Sequence, residues 1–371
     1  MTSHTEPGTL SGTTYPEISG NIRKKLIRFF LTLLLYLLLL AVSIPFRLYA
    51  QSSGAGYSEA YLLRDVGARP LSMAGAYSAI VNEPNAIFYN PSGLAFFGPE
   101  PLVSTSYSFL EFGRKHAVLS YGQSIYDNLG IGFGLNSFSS GSFMGRDIKG
   151  NPLGTLTDWS YSFVGALGYR IEFASLGASF KYLSNNLSGS NTCADGYAVD
   201  LGMKFNVADL FSFGVSVNNI SGMMFWNTES EDQEPVPYTI RTGIAMEYGL
   251  NDDSYTTRDI NGEVIEVIEP ATRYILFSAD LMMTQFERSP KLVIGAEAVL
   301  HELIAFRAGI GVYGEKFGQP QLFPMNTWGG GVSIRPEIQD IPFNTHIDYS
   351  ITSDYISTTG ISHHLSLMFE F

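Results

Sequence analysis

The sequence predicts an all-β protein: a 14-stranded antiparallel transmembrane β-barrel of the outer-membrane type, with an N-terminal hatch. Three observations predict it. Apolar and polar residues alternate with period 2 from residue 103 to the end of the chain. Short turns tend to fall on one side of the strands and long connections on the other. The chain closes on Leu365, Leu367, Phe369 and Phe371, an alternating apolar face that ends on an aromatic and resembles the terminal assembly signal of outer-membrane barrels. Composition agrees. The chain has 371 residues with 38 glycines and only 15% charged side chains, and its mean hydropathy of +0.08 is too polar for a bundle of membrane helices.

Residues 1–50 read as a targeting segment for export through the Sec pathway. Arg23, Lys24, Lys25 and Arg28 form a basic region, Phe29–Pro45 is apolar, and Leu48-Tyr49-Ala50 precedes a cleavage point at Gln51. The alternative is an uncleaved helix over residues 27–46. The polar stretch before the basic region leaves open a start codon downstream of Met1. Cleavage would remove five of 22 basic and two of 35 acidic residues, leaving a net charge of −16. That acidity excludes nucleic acid as a partner. With Cys193 as the single cysteine, an internal disulfide is impossible and a cysteine-based metal site has no basis.

Residues 51–99 form the N-terminal segment and hatch, and residues 100–371 the barrel. In the hatch, Val66–Phe97, small residues (Ala68, Ser72, Ala74, Gly75, Ala76, Ala79) suit a backbone packed tightly against a wall. Asn82-Glu83-Pro84-Asn85 turns the chain, and Asn90-Pro91-Ser92-Gly93 carries the type I turn signature. The predicted strands are Val103–Leu110, Lys115–Gln123, Leu129–Phe138, Trp159–Tyr169, Ser175–Leu183, Tyr197–Phe205, Phe211–Asn219 and Tyr238–Tyr248. Six more follow at Tyr274–Met283, Leu292–Leu300, Ile304–Tyr313, Trp328–Arg335, Thr345–Ile351 and His363–Phe371. Lys181, Asp200, Lys204, Arg241, Glu247, Asp280, Glu297, Arg307 and Asp348 fall on the polar, lumen-facing side. Leu250–Thr272 is too long for a periplasmic turn, and Asn261-Gly262 within it predicts a small hairpin. Were that hairpin part of the wall, the count would be 16.

The run GAR…SMAGAYSAIV…AIFYNPSGLA, sharp over about thirty residues, resembles the signature of the PorV/PorQ family, relatives of the FadL-type outer-membrane transporters. The resemblance implies an N-terminal plug in a 14-stranded barrel, with the Asn-Pro-x-Gly turn inside the plug. Arg69, Met73, Gly75, Asn90, Pro91 and Gly93 are the hatch residues it selects. It further implies a role in type IX protein secretion, through docking or shuttling of cargo by the cargo's C-terminal domain. The alternative is FadL-like transport of hydrophobic small molecules.

Other motifs have plainer readings. Gly309-Ile310-Gly311-Val312-Tyr313-Gly314 has the letters of a dinucleotide turn but no helix pattern after it, so alternating lumen-facing glycines explain it. His346, Asp348 and Ser350 share one strand face, but alternate strand residues lie about 7 Å apart, which makes no catalytic triad. The acidic run Glu229, Glu231, Asp232, Glu234 reads as a solvated outer loop rather than a calcium site. Met223-Met224-Phe225-Trp226, beside that run, reads either as part of the barrel rim or as a docking patch or apolar mouth of a ligand path. Neither an enzyme nor a cofactor or metal site is expected. The expected partners are outer-membrane lipid, the barrel-assembly machinery during biogenesis, and either secreted cargo proteins or hydrophobic small molecules.

Overall fold

A computed structural model describes residues 58–371, apart from 191, 208–209, 229–231, 252–253, 259–263, 269–270, 286–289, 314, 317–318, 321–324, 337–342 and 354–359. The targeting segment and its cleavage point lie outside the described residues. Fourteen wall strands follow the hatch. They are β1 (Leu102–Phe109), β2 (Lys115–Tyr126), β3 (Leu129–Arg146), β4 (Pro152–Ile171), β5 (Ala174–Ser188), β6 (Thr192–Val207) and β7 (Phe211–Trp226). The second seven are β8 (Thr239–Gly249), β9 (Tyr274–Thr284), β10 (Lys291–His301), β11 (Ile304–Tyr313), β12 (Met325–Ile334), β13 (Asn344–Ser353) and β14 (Ile361–Glu370). Each pairs antiparallel with its sequence neighbours, and β14 pairs with β1 from Leu102↔Glu370 to Phe109↔His363, which closes the barrel.

Pleating sorts the side chains. Phe133, Phe163, Phe180, Leu201, Phe277, Phe306 and Leu365 are exposed on the outer face, where the bilayer covers them. Ser104, Ser120, Ser162, Ser179, Ser216 and Ser366 alternate with such positions and are buried inside. Phe371 donates its N–H to the Pro101 carbonyl at 3.1 Å and seats the chain end beside the start of β1.

The wall is uneven in height. β3 and β4 run for 18 and 20 residues, while β1 has 8 and β11–β14 have 10 each. Alternation alone ends the third strand at Phe138, with 139–158 as a long connection. Pairing instead resumes beyond a bulge at Ser139/Gly141 and continues to Arg146↔Pro152. Gly141, at φ +83°, is the residue that lets the strand kink there. Ser254–Arg258 and Val264–Ile268 form the expected hairpin, paired only with each other, so the wall has 14 strands and not 16. Its Asn261-Gly262 turn lies outside the described residues.

The hatch crosses the lumen, with α1 (Ala68–Ser72) and α2 (Ala86–Tyr89) followed by a 3₁₀ turn at Pro91–Phe96. The turn lies against β2–β6 and α1 against β11–β14. Lumen-facing glycines make this fit possible. A Cβ on Gly309 would stand 2.2 Å from the Met73 carbonyl carbon, one on Gly177 2.1 Å from the Ser92 nitrogen, and one on Gly214 2.1 Å from the Ser78 oxygen. The wall therefore meets hatch backbone directly at Gly309, while a Cβ on Gly311 would stand 2.1 Å from the Thr327 hydroxyl of the neighbouring strand, so close packing accounts for this glycine alternation without a nucleotide. Gly165 faces open space. Gly309→Ala should destabilise the plugged barrel by about 1–3 kcal/mol through overpacking, whereas Gly165→Ala should not. Heat-modifiability of the two variants on gels compares them.

Candidate functional site

The charged lumen residues act mostly on the hatch. Arg69 of α1 makes a two-pronged contact with Glu297 of β10: Nε donates to Oε2 at 2.8 Å and Nη2 to Oε1 at 2.7 Å. Its Nη1 donates to Asn82 at 2.7 Å and to Glu83 at 2.8 Å. Arg307 also donates to Glu297 and, at 2.6 Å, to Asp348, while the Tyr274 hydroxyl donates to Glu297 at 2.7 Å. Asp280 of β9 accepts the N–H groups of Tyr77 (3.1 Å) and Ser78 (2.9 Å). Arg241 of β8 pairs with Asp65 at 2.8 Å, and Lys204 of β6 donates to the Ile80 carbonyl at 2.7 Å. The polar barrel face is thus a set of docking points for one segment of the same chain.

Asn90 organises the hatch turn. Its amide nitrogen donates to the carbonyls of Ser78 and of Met203 on β6, both at 3.0 Å. Its oxygen accepts from the Ser92 N–H at 3.2 Å and from the Ser92 hydroxyl at 2.6 Å, which caps the Pro91–Phe96 turn. Pro91 begins that turn, where a missing N–H costs nothing. A Cβ on Gly93 would strike the Val81 oxygen at 2.2 Å, and one on Gly75 the Asp65 carboxylate at 2.2 Å. Met73 is fully buried against Gly295 and Gly309. All six hatch residues singled out in the sequence are therefore buried structural positions.

Three lumen positions behave differently. Lys181 and Asp200 pair at 2.9 Å, but their further partner is Asn219 of β7. Asp200 accepts the Asn219 N–H at 2.8 Å, and Lys181 donates to the Asn219 side chain at 2.8 Å. This buried pair pins a double bulge, where Asn219 and Ser221 take positive φ and β6–β7 register shifts twice. Glu247 has the inward parity but sits exposed near the periplasmic end of β8. The expected loop Met223–Trp226 is also different: it is the end of β7, continued past the bulge. Met224 points inward and is fully buried with Leu183, Ala194, Ala198 and Val236, while Phe225 points out. Pairing of Met223–Phe225 with Gln233–Pro235 holds the segment as strand. It offers no free apolar loop.

Between the hatch and the outer end of β1–β3, β9, β10 and β12–β14 lies a cavity of about 420 Å³. Leu63, Arg64, Asp65, Leu71 and Ala74 contribute from the hatch side; Leu110, His116, Phe138 and Met282 contribute apolar and aromatic wall, and Arg114 and Lys291 charged wall. Its two histidines are held by hydrogen bonds. His364 bonds Ser108 at 2.7 Å and Thr352 at 2.9 Å, and His116 bonds Asn136 at 2.6 Å. The segment before the hatch closes one side: Tyr61 stacks on Phe138 with ring centroids 5.9 Å apart and meets His116 edge-on. Sequence reading selected none of these cavity residues. Tyr61-Leu62-Leu63 was the available signal, an apolar triplet just upstream of the small-residue run. The wall residues come from distant strands, and only closure brings them together.

No protein-family model and no curated protein matches the sequence. Solved structures do match in fold. The toluene transporter TodX of P. putida superposes with a TM-score of 0.53 at 12% identity, over 83% of this chain and 99% of TodX. A FadL homologue of Pseudomonas aeruginosa gives 0.51 at 10% identity, over 82% of this chain and 98% of its own. The toluene transporter TbuX of Ralstonia pickettii gives 0.50 at 13% identity, over 84% and 98%. At such identities the likeness establishes the fold alone, a barrel like those of the FadL homologue and the toluene transporters.

Proposed function

We propose that this chain is an outer-membrane channel for small hydrophobic molecules, exported through the Sec pathway, inserted by the barrel-assembly machinery and without catalytic activity. The observation that carries the reading is the cavity above the hatch. Leu63, Leu110, Phe138 and Met282 give it an apolar and aromatic side beside polar and charged groups that include Arg64, Arg114 and Lys291, and its volume of about 420 Å³ is at the low end of the range for small-molecule sites. The folds it resembles include barrels described as toluene transporters and a monoaromatic hydrocarbon channel. A single-ring hydrocarbon suits the aromatic side formed by Tyr61 and Phe138, so that is the cargo class assigned to the site. Cargo docking in type IX secretion, implied by the resemblance of the hatch to PorV/PorQ, is less well supported. Its local argument was an exposed Met223–Trp226 loop, and the charged lumen is occupied by hatch contacts.

Proteoliposomes test the reading. Vesicles containing the protein should take up an alkylbenzene several-fold faster than empty vesicles, with no gain for a sugar of similar size. Ser140→Trp, which places an indole into the cavity, should remove most of that gain. Equal rates in loaded and empty vesicles would contradict the proposal.

A further inference from the structure

The segment ahead of the hatch is held by an arrangement that the plug does not need. Residues 58–65 pass along the outer half of the lumen with a 3₁₀ turn at Ala60–Leu63. Tyr61 enters the Phe138–His116 pair, Leu62 packs against the Leu183–Met224 cluster, and Leu63 and Arg64 line the cavity. This strap is therefore one wall of the cavity, and its release would open the cavity to the lumen.

At its start sits Glu59, and three features make that position costly. Its backbone is left-handed, with φ +50°, a conformation a non-glycine residue rarely takes. The residue is buried, with only 6% of its surface exposed. One carboxyl oxygen accepts a long bond from the Asn185 amide at 3.3 Å, and the other has no hydrogen-bond partner. The charged groups that bear on it from the neighbouring elements are Asp158 of β4 and Glu234 of the short Gln233–Pro235 strand, and both are acids. Asn185 faces it from β5, and on its own segment Tyr61 lies in its field. A carboxylate in this place loses water and gains two repulsions. A neutral carboxylic acid has neither penalty, and its proton can serve as a donor.

We propose that Glu59 is a proton-controlled latch: the strap docks against the wall with Glu59 protonated and swings away when Glu59 ionises, which opens the cavity. Burial, ahead of the two acids, pushes the docked carboxyl up to about 7 from an ordinary 4.5. The sign follows. The docked state holds the proton more tightly than the released one, so docking is strongest at low pH. It weakens as pH rises from about 4.5 to about 7 and is constant above that. The full change in the docking equilibrium is on the order of a hundredfold. The latch concerns the strap alone and holds whatever molecule the cavity admits, so its failure and that of the transport reading are separable.

Double electron–electron resonance tests it. Nitroxides on Ala60→Cys and Lys149→Cys, in a Cys193→Ser background, measure the distance from strap to the β3–β4 tip in detergent-solubilised protein. The expected result is one narrow distance at pH 5 that gives way to a broad distribution by pH 8. Glu59→Gln should stay narrow throughout, and Asp158→Asn with Glu234→Gln should release less. A distribution that does not change between pH 5 and 8, or the same titration in Glu59→Gln, would overturn the latch. If Glu59→Gln fails to assemble, an undiminished release in the Asp158→Asn, Glu234→Gln protein would overturn it instead.

Discussion

Glu297→Ala should unseat the hatch. Glu297 is fully buried and joins Arg69 of the hatch to Arg307 of the wall, with Tyr274 as a further donor. Its removal leaves two buried guanidinium groups without their shared acid. Breaking a buried ion pair from one side costs about 3–5 kcal/mol, because the abandoned charge stays desolvated. Most of that cost is avoided if Arg69 leaves the lumen, so the strain is directed at the plug and not at the strands. Planar bilayers should show large, frequent conductance steps where the parent protein is nearly silent. Adding Arg69→Met should restore part of the silence, since it removes one stranded charge and keeps much of the volume. A merely unstable barrel would give no such rescue.

Asn90→Ala should loosen the other end of the plug. Four bonds converge on this one side chain, from two hatch segments and from the Met203 carbonyl of β6. Each buried polar group left unpaired costs about 1–3 kcal/mol, and the Ser78 and Met203 carbonyls are both stranded by the change. Pro91→Ala adds freedom to the same turn. The double variant should conduct in planar bilayers, with the barrel still folded by circular dichroism. Unchanged conductance in an intact barrel would show that the glycine cradle alone holds the hatch.

The barrel was legible because its information is local and repeated. Alternation of large apolar residues with Gly, Ser and charge marks each strand without reference to any other, and β11 falls at Ile304–Tyr313 as read. The missed parts are those where pairing outlasts the pattern. Ser139-Ser140-Gly141-Ser142 has no alternation to detect, yet β3 continues through it because β4 supplies partners. Met223–Trp226 looked like a loop because Asn219 and Ser221 break the phase of β7, after which alternation resumes. At the site, Asn90, Pro91 and Gly93 were legible through turn chemistry, which is again local. The polar wall residues were placed on the correct face, but their partners in the hatch were not foreseen. Which carboxylate meets Arg69 is decided by hatch depth, and that depends on glycines spread over many strands. The cavity was hidden for the same reason, since Leu63, Phe138 and Met282 share nothing in sequence.

In the proposed channel the lumen serves a small hydrophobic molecule and the hatch is its floor. The most direct measurement is purification of the protein from its native outer membrane in mild detergent, with mass spectrometry of everything that stays bound. The account predicts bound hydrophobic small molecules at stoichiometric levels, and their loss in Ser140→Trp, where the cavity is filled. Recovery instead of secreted proteins that share a C-terminal domain, with the cavity free of hydrophobes, would contradict it and restore the docking role.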